Sequence, residues 1–348
     1  MKPQFDFLLS VCIPTHNRAS LLRQTLASIV PQCDDAIEIV ILDSASTDGT
    51  RDVVVEYQAQ FPGISYFYSD KKMGIDVDMA KTVELAKGEY CWLMSSDDAI
   101  TSDAIRILRN ELEHGYEILL CNRIVCDLHL KPVRNRSWLR NNPITTVFNL
   151  HKREELLSYL HAAVEFGSIF SYMSALVFKR EEWNRTEYDD AFTGSGYGHV
   201  VRIFGIISNG GRLKYIEHPL VLNRSFNDSF AEMGITRRFM LDIDGYLSLA
   251  MRFFPKDETV QRAFLRVMTL EHPWYQIVKL RAYTDNKKDW RDIRGKLSRC
   301  GYADALLGIC GFLAKAKILV KIAVRFRYIY NTSIFHKYIY LFKKLVKG

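Results

Sequence analysis

The sequence has no stretch of 18 uninterrupted apolar residues, so a membrane-spanning helix is not expected. Its first residues, Met1-Lys2-Pro3-Gln4-Phe5-Asp6, lack the apolar region of a signal peptide ahead of the first strand. Nowhere does it carry a Gly-rich phosphate loop of the form G-x-x-x-x-G-K-[ST]. Neither an internal repeat nor a low-complexity tract is present. Cysteine is not arranged for a framework: there are seven, an odd number, mostly inside apolar runs. Cys121 and Cys126 have four residues between them and no His-rich partner, which argues against a zinc site. Buried free thiols in a reducing cytosol are expected instead. Acidic residues stop altogether at Asp304.

What remains is the composition of an ordinary globular enzyme. With 348 residues, 48% hydrophobic and 25% charged, the chain can bury a large core. Three N-terminal stretches share one design, an apolar run that ends abruptly in polar residues. Leu8-Leu9-Ser10-Val11-Cys12-Ile13 runs into Pro14-Thr15-His16-Asn17-Arg18. Ile37-Glu38-Ile39-Val40-Ile41-Leu42 runs into Asp43-Ser44-Ala45-Ser46-Thr47-Asp48. Glu89-Tyr90-Cys91-Trp92-Leu93-Met94 runs into Ser95-Ser96-Asp97-Asp98. Such runs read as buried strands, and the helical patterns between them imply parallel pairing with crossovers. Ligands of such sheets bind beyond the carboxyl ends of the strands, where Asp43, Asp97 and Asp98 would form one rim.

Crowded carboxylates repel, by roughly 4 kcal/mol for two unit charges about 4 Å apart at an effective dielectric near 20. A hard divalent cation relieves that repulsion, and Mg²⁺ binds one or two carboxylates together with substrate phosphates. The alternative is that Asp43 and Asp98 cap helices, and taken singly Asp98 reads as such an N-cap.

At these residues the chain resembles a family 2 glycosyltransferase with the GT-A fold. The matching segments are Val11 through Arg18, Ile41-Leu42-Asp43-Ser44-Ala45-Ser46-Thr47-Asp48-Gly49-Thr50, and Ala86-Lys87-Gly88-Glu89-Tyr90 leading into Ser95-Ser96-Asp97-Asp98. A second block, Asn209-Gly210-Gly211-Arg212-Leu213-Lys214-Tyr215-Ile216 with Pro219-Leu220-Val221-Leu222-Asn223-Arg224, is similar to bacterial O-antigen transferases of the abequosyltransferase type. The resemblance implies an α/β fold, a Rossmann-like, mostly parallel sheet flanked by helices, with a C-terminal helical extension. It implies that Pro14, Thr15 and Asp43 hold the base and ribose of a nucleotide-sugar donor, joined by Ser95, Ser96 and Asp97. The family's Asp-x-Asp motif falls on Ser95-Ser96-Asp97, so Asp97 would reach a divalent cation, Mg²⁺ or Mn²⁺, while Ser95 supplies no charge. Lys72 stands where the family often has Asn, either facing the diphosphate or solvated.

The resemblance also implies an acidic general base in the second half of the domain, often in a Glu-Asp pair. No clear pair occurs there. The candidates are His199, which follows a Gly-rich loop and has an ordinary pKa near 6.5, and Asp190 or Asp189. The alternatives are a structural His and a solvated acidic turn. Asn223 and Arg224 open a loop whose amide and aromatic content suits sugar recognition, or forms a plain polar turn.

Periodicity predicts helices over residues 18–30, 47–60, 75–87, 102–113 and 199–208. It predicts strands over 64–68, 116–121, 174–178, 212–216 and 220–223. Residues 127–149 read as loop, and residues from 235 onward read as mostly helical. The expected division is a transferase domain over 1–232, a helical region over 233–304 and a basic amphipathic tail over 305–348. Nine Lys and Arg follow Asp304, so the rest of the chain sums to −2 against the overall +7. Interleaved with aromatic and aliphatic residues, they read as a membrane-surface segment or as a packed helix with solvated lysines.

The expected partners are a nucleotide-sugar donor, a saccharide or lipid-linked oligosaccharide acceptor and a membrane surface. No nucleic-acid motif is present. The expected location is cytoplasmic, peripheral on the inner face of the cytoplasmic membrane. Two other functions fit less of the pattern: a nucleotide-sugar-binding protein without turnover, and a metal-dependent nucleotidyltransferase.

Overall fold

The computed structural model describes residues 5–315, apart from 142–143, 226, 228–229 and 285. The tail proposed for 305–348 therefore lies outside the described residues beyond 315. Two compact units are present, one formed by Met1–Ser229 with Ser248–Val267, the other by Phe230–Leu247 with Met268–Gly348.

The first unit is built on one mixed sheet. Its strands are β1 (Phe7–Thr15), β2 (Ile37–Ser44), β3 (Ile64–Ser69), β4 (Gly88–Leu93), β5 (Ala99–Ile100), β6 (Ile118–Cys126), β7 (Pro132–Arg136), β8 (Thr146–Phe148), β9 (Leu176–Lys179) and β10 (Leu213–Arg224). The strand order is β3-β2-β1-β4-β9-β6-β10-β5, with β7 beside β6 and β8 beside β10. β1 to β4 are mutually parallel, and β9 runs against both β4 and β6. Around the sheet lie α1 (Ala19–Ile29), α2 (Thr50–Gln58), α3 (Ile75–Leu85), α4 (Ala104–Leu112), α5 (Arg153–Ala162), α6 (Arg180–Arg185) and α7 (Gly198–Ser208). Further helices are α8 (Ile235–Phe253), α9 (Glu258–Glu271), α10 (Trp274–Tyr283), α11 (Lys287–Arg299) and α12 (Asp304–Leu313).

The apolar runs become strands because both faces are covered. Every residue of β2 is buried, as are Leu9 to Thr15 of β1. Even Glu38, in the middle of β2, is inside, where its carboxylate accepts Ser10 Oγ at 2.6 Å and the Lys87 N–H at 2.5 Å. Gly88 starts β4 hard against β1: a Cβ there would lie 2.6 Å from Ser10 Oγ and 2.8 Å from the Ser10 nitrogen. That contact is the physical content of the Lys87-Gly88-Glu89 segment.

Three expectations change. The region read as loop over 127–149 contains β7 and β8, both antiparallel additions to the sheet. β7 is exposed along nearly its whole length, so it has no buried face to reveal itself by alternation. The two short strands over 212–223 are one strand, β10, with register irregularities around Pro219. The helix expected from Thr47 begins at Thr50. Asp48 serves its start, accepting the Thr50 N–H at 3.1 Å. The other oxygen of Asp48 accepts the Ala19 N–H at 3.0 Å, so one carboxylate serves the starts of both α1 and α2.

All seven cysteines are free, and six are buried. Burial pushes the thiols of Cys33, Cys121 and Cys300 up to about 12 and that of Cys126 to about 11, which keeps them protonated.

Candidate active site

β1, β2 and β4 end at the same edge. Thr15 pairs in register with Asp43, and the Met94 N–H donates to the Cys12 carbonyl just where β4 ends. Only β1 lies between β2 and β4, so the two carboxylate-bearing ends are about 10 Å apart, two strand spacings. Pro14 and Thr15 are the buried last residues of β1 and sit between them. Thr15 Oγ1 is buried with no hydrogen-bond partner among the described residues.

The loop after β1 stitches the two ends together. On one side, His16 Nδ1 is 2.6 Å from the Ser44 carbonyl. The Asn17 N–H donates to Ser46 Oγ at 2.8 Å, and Asn17 Oδ1 accepts the Thr47 N–H at 2.8 Å. On the other side, Arg18 Nη1 lies 2.9 Å from Asp97 Oδ2.

Each aspartate has a distinct job. Asp43 is 1% exposed, and its oxygens accept the Ser46 N–H at 2.9 Å and the Tyr66 hydroxyl at 2.7 Å. Its carboxylate is thereby fixed at the tip of β2. Asp97 Oδ2 accepts Asn227 Nδ2 at 2.6 Å in addition to the Arg18 pair, and Oδ1 takes the Ser95 hydroxyl. The serine in place of the motif's first acid thus orients the second. Ser96 is buried beside it.

Asp98 turns inward. It accepts the Tyr172 hydroxyl at 2.6 Å, the Ser174 hydroxyl at 2.7 Å and the Arg224 N–H at 2.9 Å, with Asn223 Nδ2 at 3.4 Å. Burial, reinforced by the neighbouring Asp97 charge, pushes its carboxyl up to about 6 against those donors. Asp98 is a hub tying the loop after β4 to the end of β10, and it caps no helix.

Asn223 and Arg224 are therefore at the rim. The Arg224 guanidinium donates to the Asp97 carbonyl at 2.6 Å, to the Leu128 carbonyl and to Gln24 Oε1 at 3.1 Å. Lys72 is exposed, and its charge is felt by Asp78, whose carboxyl burial raises.

The candidates for the base lie along a separate loop. Asp189 accepts the Ala191 N–H at 3.1 Å and pairs with Arg252 Nε at 3.1 Å. Asp190 is exposed in the short turn Asp190–Phe192. His199 is the second residue of α7 and is 3% exposed. Burial lowers its pKa, while Asp76 and the backbone of Ser171 and Phe170 oppose the shift. Asp76, Tyr172, Ser174 and Tyr66 carry no sequence signal. Arg18 and Asn227 stood inside segments already singled out.

Among the described residues no group of three or more His, Cys, Asp or Glu could hold a metal ion. Among the described residues, Asp97 is the rim carboxylate held by Arg18, Ser95 and Asn227. One carboxylate with substrate phosphates is a donor set that Mg²⁺ accepts, so the residues fit such a cation.

Beyond the parallel ends of β1, β2 and β4 the sheet presents fixed carboxylates, at the edge where such sheets bind their ligands, nucleotides among them. Comparison with known proteins agrees. The model for glycosyl transferase family 2 matches residues 10–177. The abequosyltransferase RfbV of Salmonella typhimurium is 38% identical over 300 residues, 83% of this chain and 89% of that protein. A GalNAc(5)-diNAcBac-PP-undecaprenol beta-1,3-glucosyltransferase of Campylobacter jejuni is 31% identical over 70% of this chain and 72% of its own length. The crystal structure of S. aureus TarS 1–349 in complex with UDP-GlcNAc superposes with a TM-score of 0.60 at 13% identity, covering 89% of this chain and 88% of that one, a likeness of fold. The chain belongs to glycosyl transferase family 2 and is a glycosyltransferase, and its sheet and flanking helices form the GT-A fold.

Proposed function

We propose that this enzyme moves a sugar from a nucleoside-diphosphate donor onto a saccharide acceptor carried on a lipid diphosphate, as the names of its relatives suggest, in the assembly of a bacterial surface polysaccharide of the O-antigen kind. The observation that carries the reading is the shared edge: Asp43 at the tip of β2 and Asp97 beyond β4, joined by the loop that holds Arg18. Asp43, Thr15 and Pro14 would face the base and ribose, and Ser95, Ser96 and Asp97 the diphosphate. Family members generally use a divalent cation. Asp97 would hold it, and when bound it would offset the charge that builds on the departing nucleoside diphosphate. Arg18 contributes a fixed positive charge at the same place.

The acceptor hydroxyl needs a base. We assign that proton to Asp190, the exposed acid of the candidate set. It is exposed, whereas the His199 ring is buried and Asp189 is committed to Arg252. Asn223 would contribute to acceptor binding at the rim.

A membrane surface is the remaining partner. No helix of the described residues is long and apolar enough to cross a bilayer. The second unit, however, exposes Trp274 and Tyr275 at the start of α10 and Ile309, Phe312 and Leu313 on α12. These two places adjoin, because Cys310 Sγ donates to the Trp274 carbonyl at 3.5 Å. The sequence then continues into eight cations after Lys315 with no acidic residue, a composition attracted to anionic lipid on the inner membrane face.

A panel of UDP-, dTDP-, GDP- and CDP-sugars, screened for thermal stabilisation and release of the nucleoside diphosphate, tests the transfer reading. No stabilisation and no release across the panel would end it. Flotation with anionic vesicles, with and without residues 316–348, tests the membrane partner; equal flotation of both forms would remove the tail from it.

A further inference from the structure

Asp76 is 2% exposed in the first turn of α3, yet it serves neither the rim nor its own helix. Its carboxylate reaches across to a segment more than 100 residues away. Oδ2 accepts the Gly196 N–H at 2.9 Å, and Oδ1 accepts the Gly198 N–H at 2.8 Å. Gly198 opens α7, so the negative charge also sits at the positive end of that helix. The loop that Asp76 holds is wired through to the acidic turn by its own hydrogen bonds. The Thr193 N–H donates to the Asp190 carbonyl at 3.1 Å, Ser195 Oγ to the Phe192 carbonyl at 2.6 Å, and the Tyr197 N–H to Ser195 Oγ at 3.0 Å. Gly194 and Gly196 both have positive φ, so the loop takes a shape that other residues resist. At the far end, a Cβ on Gly198 would lie 3.0 Å from Asp76 Oδ1.

We propose that Asp76 is a positioning residue: a two-point latch that fixes the Gly194–Gly198 loop, and through it Asp190, relative to the α3 segment that follows the donor-side strand β3. It touches no reacting atom. Its effect is to hold the acceptor-activating carboxylate at one distance from a donor bound on the β1–β2–β4 edge. The proposal rests on the glycosyl-transfer reading and goes beyond it by assigning a residue that neither the motifs nor the rim contains. Misplacement of a reacting group by about 1 Å can cost about a hundredfold in rate without touching substrate affinity.

Asp76→Asn keeps the side chain's volume and replaces one acceptor oxygen with an N–H₂ that faces a backbone N–H. The expected result is a fall of about tenfold to a hundredfold in kcat, with donor affinity, read from nucleotide-sugar stabilisation, within twofold of wild type. Turnover within twofold of wild type overturns the latch. So does a parallel loss of donor affinity and kcat, which marks a merely structural role. Should Asp76→Asn fail to fold, Gly198→Ala carries the same test. It presses a methyl against Asp76 Oδ1 and shifts the latch by a few tenths of an ångström, and a kcat loss of about threefold with unchanged donor affinity is expected. An unchanged kcat in Gly198→Ala refutes the proposal. Wild-type turnover is the separate control. Its absence strikes the transfer reading and takes the latch with it, whereas wild-type turnover matched by both variants strikes the latch alone.

Discussion

Asp98→Asn isolates the electrostatic cost of the hub. The wild-type carboxyl rises from the ordinary 3.8 to about 6 because it is buried beside Asp97. A raised carboxyl favours the folded protein at low pH: that contribution is fully present below about 3.8 and is lost as pH rises through about 6. At 1.36 kcal/mol for each pKa unit, the whole span is about 3 kcal/mol, of which about 2 kcal/mol is lost between pH 4.5 and 8.

Asparagine is shaped like the protonated acid. Its oxygen can take the Arg224 N–H, and its amide can donate to the Tyr172 and Ser174 hydroxyls, which also accept. The variant should therefore lack the pH-dependent loss. Thermal unfolding in EDTA, so that no cation intrudes, reads it directly. Relative to wild type, the melting temperature of Asp98→Asn should rise by about 3 °C between pH 4.5 and pH 8, since about 2 kcal/mol is divided by an unfolding entropy of about 0.7 kcal/mol/K for a chain of 348 residues. A difference that stays flat with pH would mean that Asp98 ionises without penalty. A difference that falls would mean that its charge stabilises the fold, and either result rules out an electrostatic cost at Asp98.

Other consequences are as direct. Glu165 is 8% exposed and pairs with Arg123 at 2.8 Å and Arg136 at 3.1 Å, while the Arg123 guanidinium lies 3.5 Å from the Trp138 ring centroid. Glu165→Gln leaves Arg123 buried without its counter-charge and should cost about 3 kcal/mol in a denaturant titration. A loss under about 1 kcal/mol would show that the stacking alone suffices. Gly88→Ala drives a methyl into Ser10 and should cost about 2 kcal/mol by the same measurement, with unchanged stability as the contrary result. Between the base candidates, Asp190→Asn should lower kcat by about a hundredfold while His199→Gln acts mainly on stability, and the reverse order in steady-state rates would reassign the base.

The rim was legible because buried parallel strands advertise themselves. β1, β2 and β4 are covered on both faces, so their apolar runs are continuous and their polar ends mark the ligand edge. β7 and β8 were not legible, since Pro132-Val133-Arg134-Asn135-Arg136 gives an exposed edge strand no alternation to read. β10 was split in two by Pro219, which the sheet absorbs as an irregularity in register. Within the site, Asp43 and Asp97 stood out because each comes where a buried apolar run gives way to polar residues. Asp76, Tyr172 and Ser174 did not, because their partners lie 122, 74 and 76 residues away and pairing at that range leaves no local pattern. The same distance hides why Ser95 is serviceable in place of an acid: its hydroxyl works on Asp97, and Arg18 supplies the opposing charge.

We propose that Asp43 and Asp97 serve one donor. Titration calorimetry of the nucleotide sugar that stabilises the wild type, with Mn²⁺ present, should show at least about a tenfold loss of affinity for Asp43→Asn and for Asp97→Asn, with the Mn²⁺-dependent part absent only in the latter. Wild-type affinity in either folded variant would contradict the shared site.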